Sequence, residues 1–278
     1  MTSAVFTLIL FASSIGAGLL GSLTGLGGGI IITPILVLGF GVDIRYAVGA
    51  SLIAVIATSS GAAAAFVREG FTNVRIAMLL EVATVIGAIT GALIAAKTPP
   101  GGILLVFGVV LIYTAYSSIT AKTSKPFDGP IDPLAQKLKL SGTYPTKDGT
   151  LEAYSPRRIP LGFALMYGAG VLSALIGIGS GVIKVLAMDR AMGLPFKVST
   201  TTSNFMIGVT AAASAGVYLH RGQIDPILAA PVALGALVGA YLGAKILPGA
   251  NVVTLRRIFA AVVVVVALQM IYKGVTSW

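Results

Sequence analysis

Cysteine is absent from the 278 residues, and histidine occurs once, at His220. The first absence excludes a disulfide framework, a thiolate metal site and a cysteine nucleophile. The second excludes a multi-histidine metal centre, and no H-E-x-x-H pattern occurs. Charge is scarce too: Asp, Glu, Lys and Arg make up 10% of the chain, against about 25% in soluble globular chains. Hydrophobic types make up 56%. A soluble chain of this size needs a charged surface that this composition cannot supply. An ordinary soluble enzyme and a disordered protein are both excluded. Negative charge is scarcest, with 9 Asp and Glu against 19 Lys and Arg, for a formal charge of +10. In a soluble protein that excess would suggest nucleic acid. Among apolar segments it reads as basic loops flanking membrane helices on the cytoplasmic side, and no nucleic-acid partner is expected.

What the chain has instead is long apolar stretches, and a membrane span needs about 20 such residues. Five lie in the first half, near 4–24, 29–40, 47–67, 74–96 and 102–121. Five follow near 159–176, 181–192, 199–219, 226–247 and 257–273. The second of each set is short and follows a glycine cluster. The apolar start lacks a basic stretch and is expected to be a first span rather than a cleaved signal peptide. Between the halves, 122–158 holds seven Lys and Arg among Pro, Asp and Ser. It reads as a solvated linker, with room for a short helix near 132–140.

The halves repeat. Gly18 and Gly170 lie 152 positions apart, and the same offset pairs Gly25 with Gly177, Gly27 with Gly179, Gly29 with Gly181 and Gly41 with Gly193. It continues through Ser51 and Ser203, Thr58 and Thr210, Gly87 and Gly239, and Phe107 and Phe259 without a gap. Duplication explains an unbroken offset better than shared composition. If each glycine-linked pair counts as two crossings, the second half is inverted. Fourteen Lys and Arg then share the linker side, and four (Arg45, Lys97, Arg221 and Lys273) lie opposite. If the short segment returns to its own face, the split is eleven to seven. The stronger asymmetry puts the linker in the cytoplasm and both termini outside. The expected fold is an all-α polytopic membrane protein of two inverted repeats, 1–121 and 159–278, joined by the 122–158 linker. Each repeat has about five helical segments, with half-length helices meeting near the midplane. That is the pattern of a secondary transporter, whose substrate site is expected between the repeats.

Three features could carry chemistry. The first is the paired clusters Thr24-Gly25-Leu26-Gly27-Gly28-Gly29 and Gly177-Ile178-Gly179-Ser180-Gly181. Non-helical backbone at membrane depth survives where it lines a cavity or is buried in protein. Short helices starting just after such breaks would aim free N–H groups at an anion. Tight helix packing is the alternative use of these glycines. Neither cluster completes a G-x-G-x-x-G fingerprint, because Ile30 and Val182 stand at the sixth positions. The second is the polar run from Ser199 to Asn204, with Ser51 repeating Ser203. Ser203 and Asn204 are the candidate site residues, though hydroxyls in such a run also bond their own helix. The third is a pair of ionisable residues inside apolar segments. Lys184 would suit an anionic substrate or snorkel to the interface. Glu81 could couple transport to protons or make a structural hydrogen bond. Ser180 superficially suggests an intramembrane hydrolase, but Gly28 occupies the equivalent position and His220 is remote. No catalytic role, metal or cofactor is expected.

At these motifs the chain resembles the TauE/SafE (TSUP) family of sulfite and organosulfonate permeases. The resemblance rests on Gly25 to Gly29 followed by Pro34, on Gly177 to Gly181, on Gly41 and Gly193, on Lys197 to Asn204 and on Arg256-Arg257-Ile258-Phe259. It covers nearly all of the chain except the linker, which looks longer than in a minimal member. It implies a secondary transporter, exporting small sulfur-containing anions such as sulfite or organosulfonates across a prokaryotic inner membrane. An anion channel is the alternative. Oligomeric state is not written in the sequence, a homodimer being one arrangement.

Overall fold

The computed structural model describes residues 3–24, 28–68, 71–120, 132–145, 150–246 and 252–277. The described parts of all ten apolar segments are largely helical. The first half holds α1 (Ser3–Thr24), α2 (Gly29–Pro34), α3 (Ile44–Arg68), α4 (Val74–Lys97) and α5 (Pro100–Thr120). The second holds α7 (Ile159–Ile176), α8 (Gly181–Leu186), α9 (Phe196–His220), α10 (Pro226–Ile246) and α11 (Val252–Thr276). Between them the linker contributes α6 (Pro133–Lys137), inside the stretch expected to hold a short helix. It also holds an antiparallel hairpin of β1 (Gly142–Pro145) and β2 (Leu151–Tyr154), which the composition of the linker did not announce.

The helix ends follow from local chemistry. Asn73 caps α4, its Oδ1 accepting from Ile76 N at 3.0 Å. Pro100 and Pro226 open α5 and α10, where the missing N–H costs nothing. Gly177, at φ +70°, ends α7 in the left-handed conformation, its N–H bonding Ser173 O at 2.8 Å. Helices α2 and α8 both run on into a π turn, over Ile35–Gly39 and Ala187–Ala191. Pro34 precedes the first turn but Leu186 precedes the second, so proline is not the shared cause.

Helix packing repeats across the halves. α1 packs on α10 as α7 packs on α4, α3 on α10 as α9 on α4, and α3 meets α9 while α5 meets α11. The closest approaches are glycine-mediated and follow the 152-residue offset. A Cβ at Gly87 would sit 2.1 Å from Tyr167 O, and one at Gly239 would sit 2.0 Å from Ile15 O. Lipid supplies no hydrophobic drive between helices, so this backbone proximity is a main source of cohesion. Gly87→Ala must force α4 and α7 apart. It is expected to cost about 1–3 kcal/mol, read as a lower thermal midpoint of the detergent-purified protein. An unchanged midpoint would show that the helices do not approach so closely.

One face of α4 is buried, including Ile76, Leu80, Glu81, Thr84, Gly87 and Gly91. The other presents Met78, Val82, Ile86 and Leu93 outward. α10 does the same with Leu234, Val238 and Tyr241. Such contiguous apolar stripes are suited to lipid. Val74–Lys97, Pro100–Ser117, Ile159–Ile176 and Pro226–Gly243 are each long and apolar enough to cross a bilayer. The protein is a multi-pass helical membrane protein.

The two ends of α4 define two poles. At its start, Asn73 Nδ2 donates to Leu140 O and Tyr154 Oη of the linker, at 3.0 and 2.9 Å. Lys197 lies over the Phe71 ring at 4.8 Å, and Arg157 N bonds Met192 O, at this same pole. At the other end, Arg221 Nη1 donates to Ala92 O and Arg45 Nη2 to Thr98 O. α3 therefore runs toward the linker pole and α9 away from it.

Candidate functional site

The interrupted helices bring the two glycine clusters together. Gly28 starts α2, its carbonyl accepting from Ile31 N and Ile32 N at 3.2 Å. A Cβ at Gly29 would sit 2.8 Å from both Gly177 O and Ser51 Oγ. Ser51 is fully buried on α3, with its Oγ 2.8 Å from Gly177 O and 3.2 Å from Gly29 O. One hydroxyl thus lies within donating distance of a carbonyl of each break, its single proton serving them in turn or shared between them. Ser203, its counterpart, places Oγ 3.2 Å from Gly181 O. Gly179, at φ +71°, leaves no room for a Cβ, which would lie 2.7 Å from Ile207 Cγ2. Gly25 and Gly27 lie outside the described residues, as does the side chain of Thr24.

Ser180 precedes α8 in the left-handed conformation, at φ +48°. Its Oγ is buried with no hydrogen-bond partner. It lines a small pocket with Ile30, Val110, Thr114, Ile178 and Gly181. The pocket has room for about one water, so a larger anion would have to separate its walls.

The run from Ser199 to Asn204 divides. Ser199, Thr200 and Thr201 bond backbone carbonyls of the segment leading into or starting α9. Thr202 Oγ1 accepts from Asn73 N at 3.1 Å, joining α9 to the linker pole. With Ser203 on Gly181 O, five of the six use their hydroxyls on backbone groups. Broken helices leave orphan carbonyls and amides at membrane depth, and nearby hydroxyls satisfy them. Asn204 is half-buried and makes no hydrogen bond among the described residues. It does not line the Ser180 pocket.

Lys184 lies on α8, one turn past the break, and is 0% exposed. It does not snorkel. Among the described residues it is the one buried Lys or Arg. Its Nζ donates to Thr210 Oγ1, and that hydroxyl lies 2.7 Å from Glu81 Oε1. The two ionisable residues singled out from apolar segments are thus brought together. Thr210, which joins them, and Thr114 were missed as site residues. Thr210 was visible as the repeat partner of Thr58, yet a threonine in a helix ordinarily bonds its own backbone, as Thr58 does with Val55 O. Asp189 is also buried, within the π turn after α8. Outside the membrane-spanning segments, Tyr144 Oη donates to Glu152 Oε2 at 2.6 Å, and that bond pushes its phenol up to about 12. Burial raises Tyr154, against the opposing effect of its bond to Asn73.

The sequence is similar to those of known proteins along most of its length. The chain is 27% identical to the "Probable membrane transporter protein YunE" of Bacillus subtilis, over 97% of this chain and 98% of that one. It is 26% identical to the "Probable membrane transporter protein YdhB" of the same organism, over 86% of this chain and 87% of the relative. A "Probable membrane transporter protein" of Xylella fastidiosa is 25% identical over 94% and 93%. No solved structure matches. The family model described as "Sulfite exporter TauE/SafE" matches residues 10–270. From the first helix through the last, with both glycine breaks and the buried Lys184 inside the matched region, the chain belongs to the TauE/SafE family of membrane transporters.

Proposed function

We propose that the protein is a secondary transporter that exports small sulfur-containing anions, such as sulfite or organosulfonates, by alternating access. The observation that carries the anionic part is Lys184, a fully buried cation one turn inside α8. Burying an ammonium is costly even with Glu81 close by, and a membrane protein retains one where it serves a charged ligand or an ion path. The breaks at Gly28–Gly29 and Gly177–Gly181 would supply backbone N–H groups, with Ser180 and Asn204 as uncommitted side-chain donors. Thr24, Gly25, Gly27, Ser51 and Ser203 complete the proposed site. Ser51 and Ser203 hold carbonyls of the broken helices, which assigns them to its framework.

Residues 1–121 and 159–278 are proposed as two repeats inverted in a prokaryotic inner membrane. The opposed directions of α3 and α9 support that reading. The 122–158 linker is then cytoplasmic and both termini lie outside. The family's description supports sulfite as the first substrate to try. Proteoliposomes holding the purified protein are expected to take up labelled sulfite and ethanesulfonate saturably, and to accelerate uptake when loaded with unlabelled anion. Flux of a neutral or cationic solute in place of both anions would sink the reading. Unitary currents without counter-exchange would make the protein a channel.

A further inference from the structure

Glu81, Thr210 and Lys184 come from α4, α9 and α8 and form one buried polar chain. Lys184 Nζ donates to Thr210 Oγ1. That hydroxyl lies 2.7 Å from Glu81 Oε1 and 3.0 Å from Met206 O, and its single proton can serve one of them at a time. The ammonium and the carboxyl therefore sit on opposite sides of one hydroxyl. Glu81 is 7% exposed, and its Oε2 is buried with no hydrogen-bond partner. A purely structural ion pair would satisfy both carboxylate oxygens. The open oxygen is a place for a proton.

Other ionisable groups on the elements packed around Glu81 stand apart from it. α7 offers Tyr167, which is largely exposed. α9 offers Lys197 over Phe71, Tyr218 bonded to Ala174 O, and His220 at its exposed end. α4 adds Arg75, bonded to Lys139 O, and Lys97 at its last turn. Beyond α8, Asp189 and Arg190 lie in the π turn, with Arg190 exposed. Glu81 is the acidic group that shares the hydroxyl of Lys184.

We propose that Glu81 makes the transporter a proton–anion symporter. This rests on the anion-transport reading, and export then requires an outward anion gradient larger than any inward proton gradient. An anion arriving at Lys184 replaces the Glu81 carboxylate as its counter-charge. Two anions beside one buried cation are unfavourable, so Glu81 takes a proton at Oε2 from the side to which the site is open. The anion and the proton leave together on the other side. The carrier returns with Lys184 and Glu81 both ionised and their charges cancelled. A monovalent anion then crosses electroneutrally, as its acid.

Ethanesulfonate tests this, because its charge does not change between about pH 5 and pH 8 while carboxyl groups titrate. Wild-type proteoliposomes with a trapped pH dye are expected to acidify inside in step with labelled ethanesulfonate uptake. The rate should not respond to a potassium–valinomycin potential of either sign. Wild-type affinity should weaken with rising pH, with a limiting slope of about tenfold per pH unit. In Glu81→Gln, label exchange should persist, acidification should vanish, affinity should become flat with pH, and net uptake should follow the potential. Wild-type uptake without acidification, or driven by the potential as in the variant, would overturn the coupling and leave anion transport standing. Absence of any wild-type anion exchange would remove both.

Discussion

Replacing Lys184 by methionine is expected to abolish anion transport and to destabilise the protein, and a second substitution should separate the two effects. Lys184 is 0% exposed, with its ammonium on Thr210 and Glu81 beyond. Truncating one member of a buried, hydrogen-bonded charge arrangement costs several kcal/mol. Anion binding should weaken at least about a hundredfold, near 2.7 kcal/mol. Losing the ammonium also leaves Glu81 buried without its counter-charge, which should lower stability by about 3 kcal/mol. Adding Glu81→Gln removes the stranded carboxyl. The double variant is expected to regain most of the thermal midpoint while remaining inactive. Arginine should not substitute, because its fork of five donors cannot enter a site packed around one ammonium without displacing Thr210. Full flux in a folded Lys184→Met protein would show that the buried cation is structural only.

Substitution at Gly29 should have the next largest effect. A Cβ there would lie 2.6 Å from Val55 Cγ2, 2.8 Å from Gly177 O and 2.8 Å from Ser51 Oγ. The valine methyl can turn aside, but the Gly177 carbonyl is backbone at the end of α7. Gly29→Val must therefore push the first break away from the second and detach Ser51 from at least one carbonyl. The packing cost is about 1–3 kcal/mol, plus the loss of a buried hydrogen bond worth about 1 kcal/mol. Flux is expected to fall to background, with the thermal midpoint lowered. Gly29→Ala should lie between. If both variants transport normally, the two breaks are not in contact in the working protein.

Much of the fold was legible because lipid imposes a simple rule on backbone. Every polar group must be paired within its segment, so a long apolar run has little choice but helix. The linker was the exception. A short helix was expected near 132–140, and Asp132 caps α6 by accepting from Leu134 N at 2.9 Å. The hairpin was not, because β1 and β2 are short strands that carry polar residues. They are held by pairing with each other and, through Tyr154, by Asn73.

The site was legible in part for a related reason. Glycines at matching positions marked where the helices break, and Lys184 and Glu81 stood out as charges in apolar surroundings. What each polar side chain bonds to was hidden. Ser51 and Ser203 could have faced a substrate or a carbonyl, and the choice depends on which backbone lies opposite.

By itself, the sequence determined the class, a helical membrane protein whose apolar segments break at two glycine clusters, because composition acts locally on each segment. It also determined where the scarce charges sit along the chain. Only the tertiary structure decided that Glu81 and Lys184, 103 positions apart, share Thr210. Such pairings are set by how whole helices cross, through close approaches such as Gly87 to Tyr167, and no local pattern encodes a crossing.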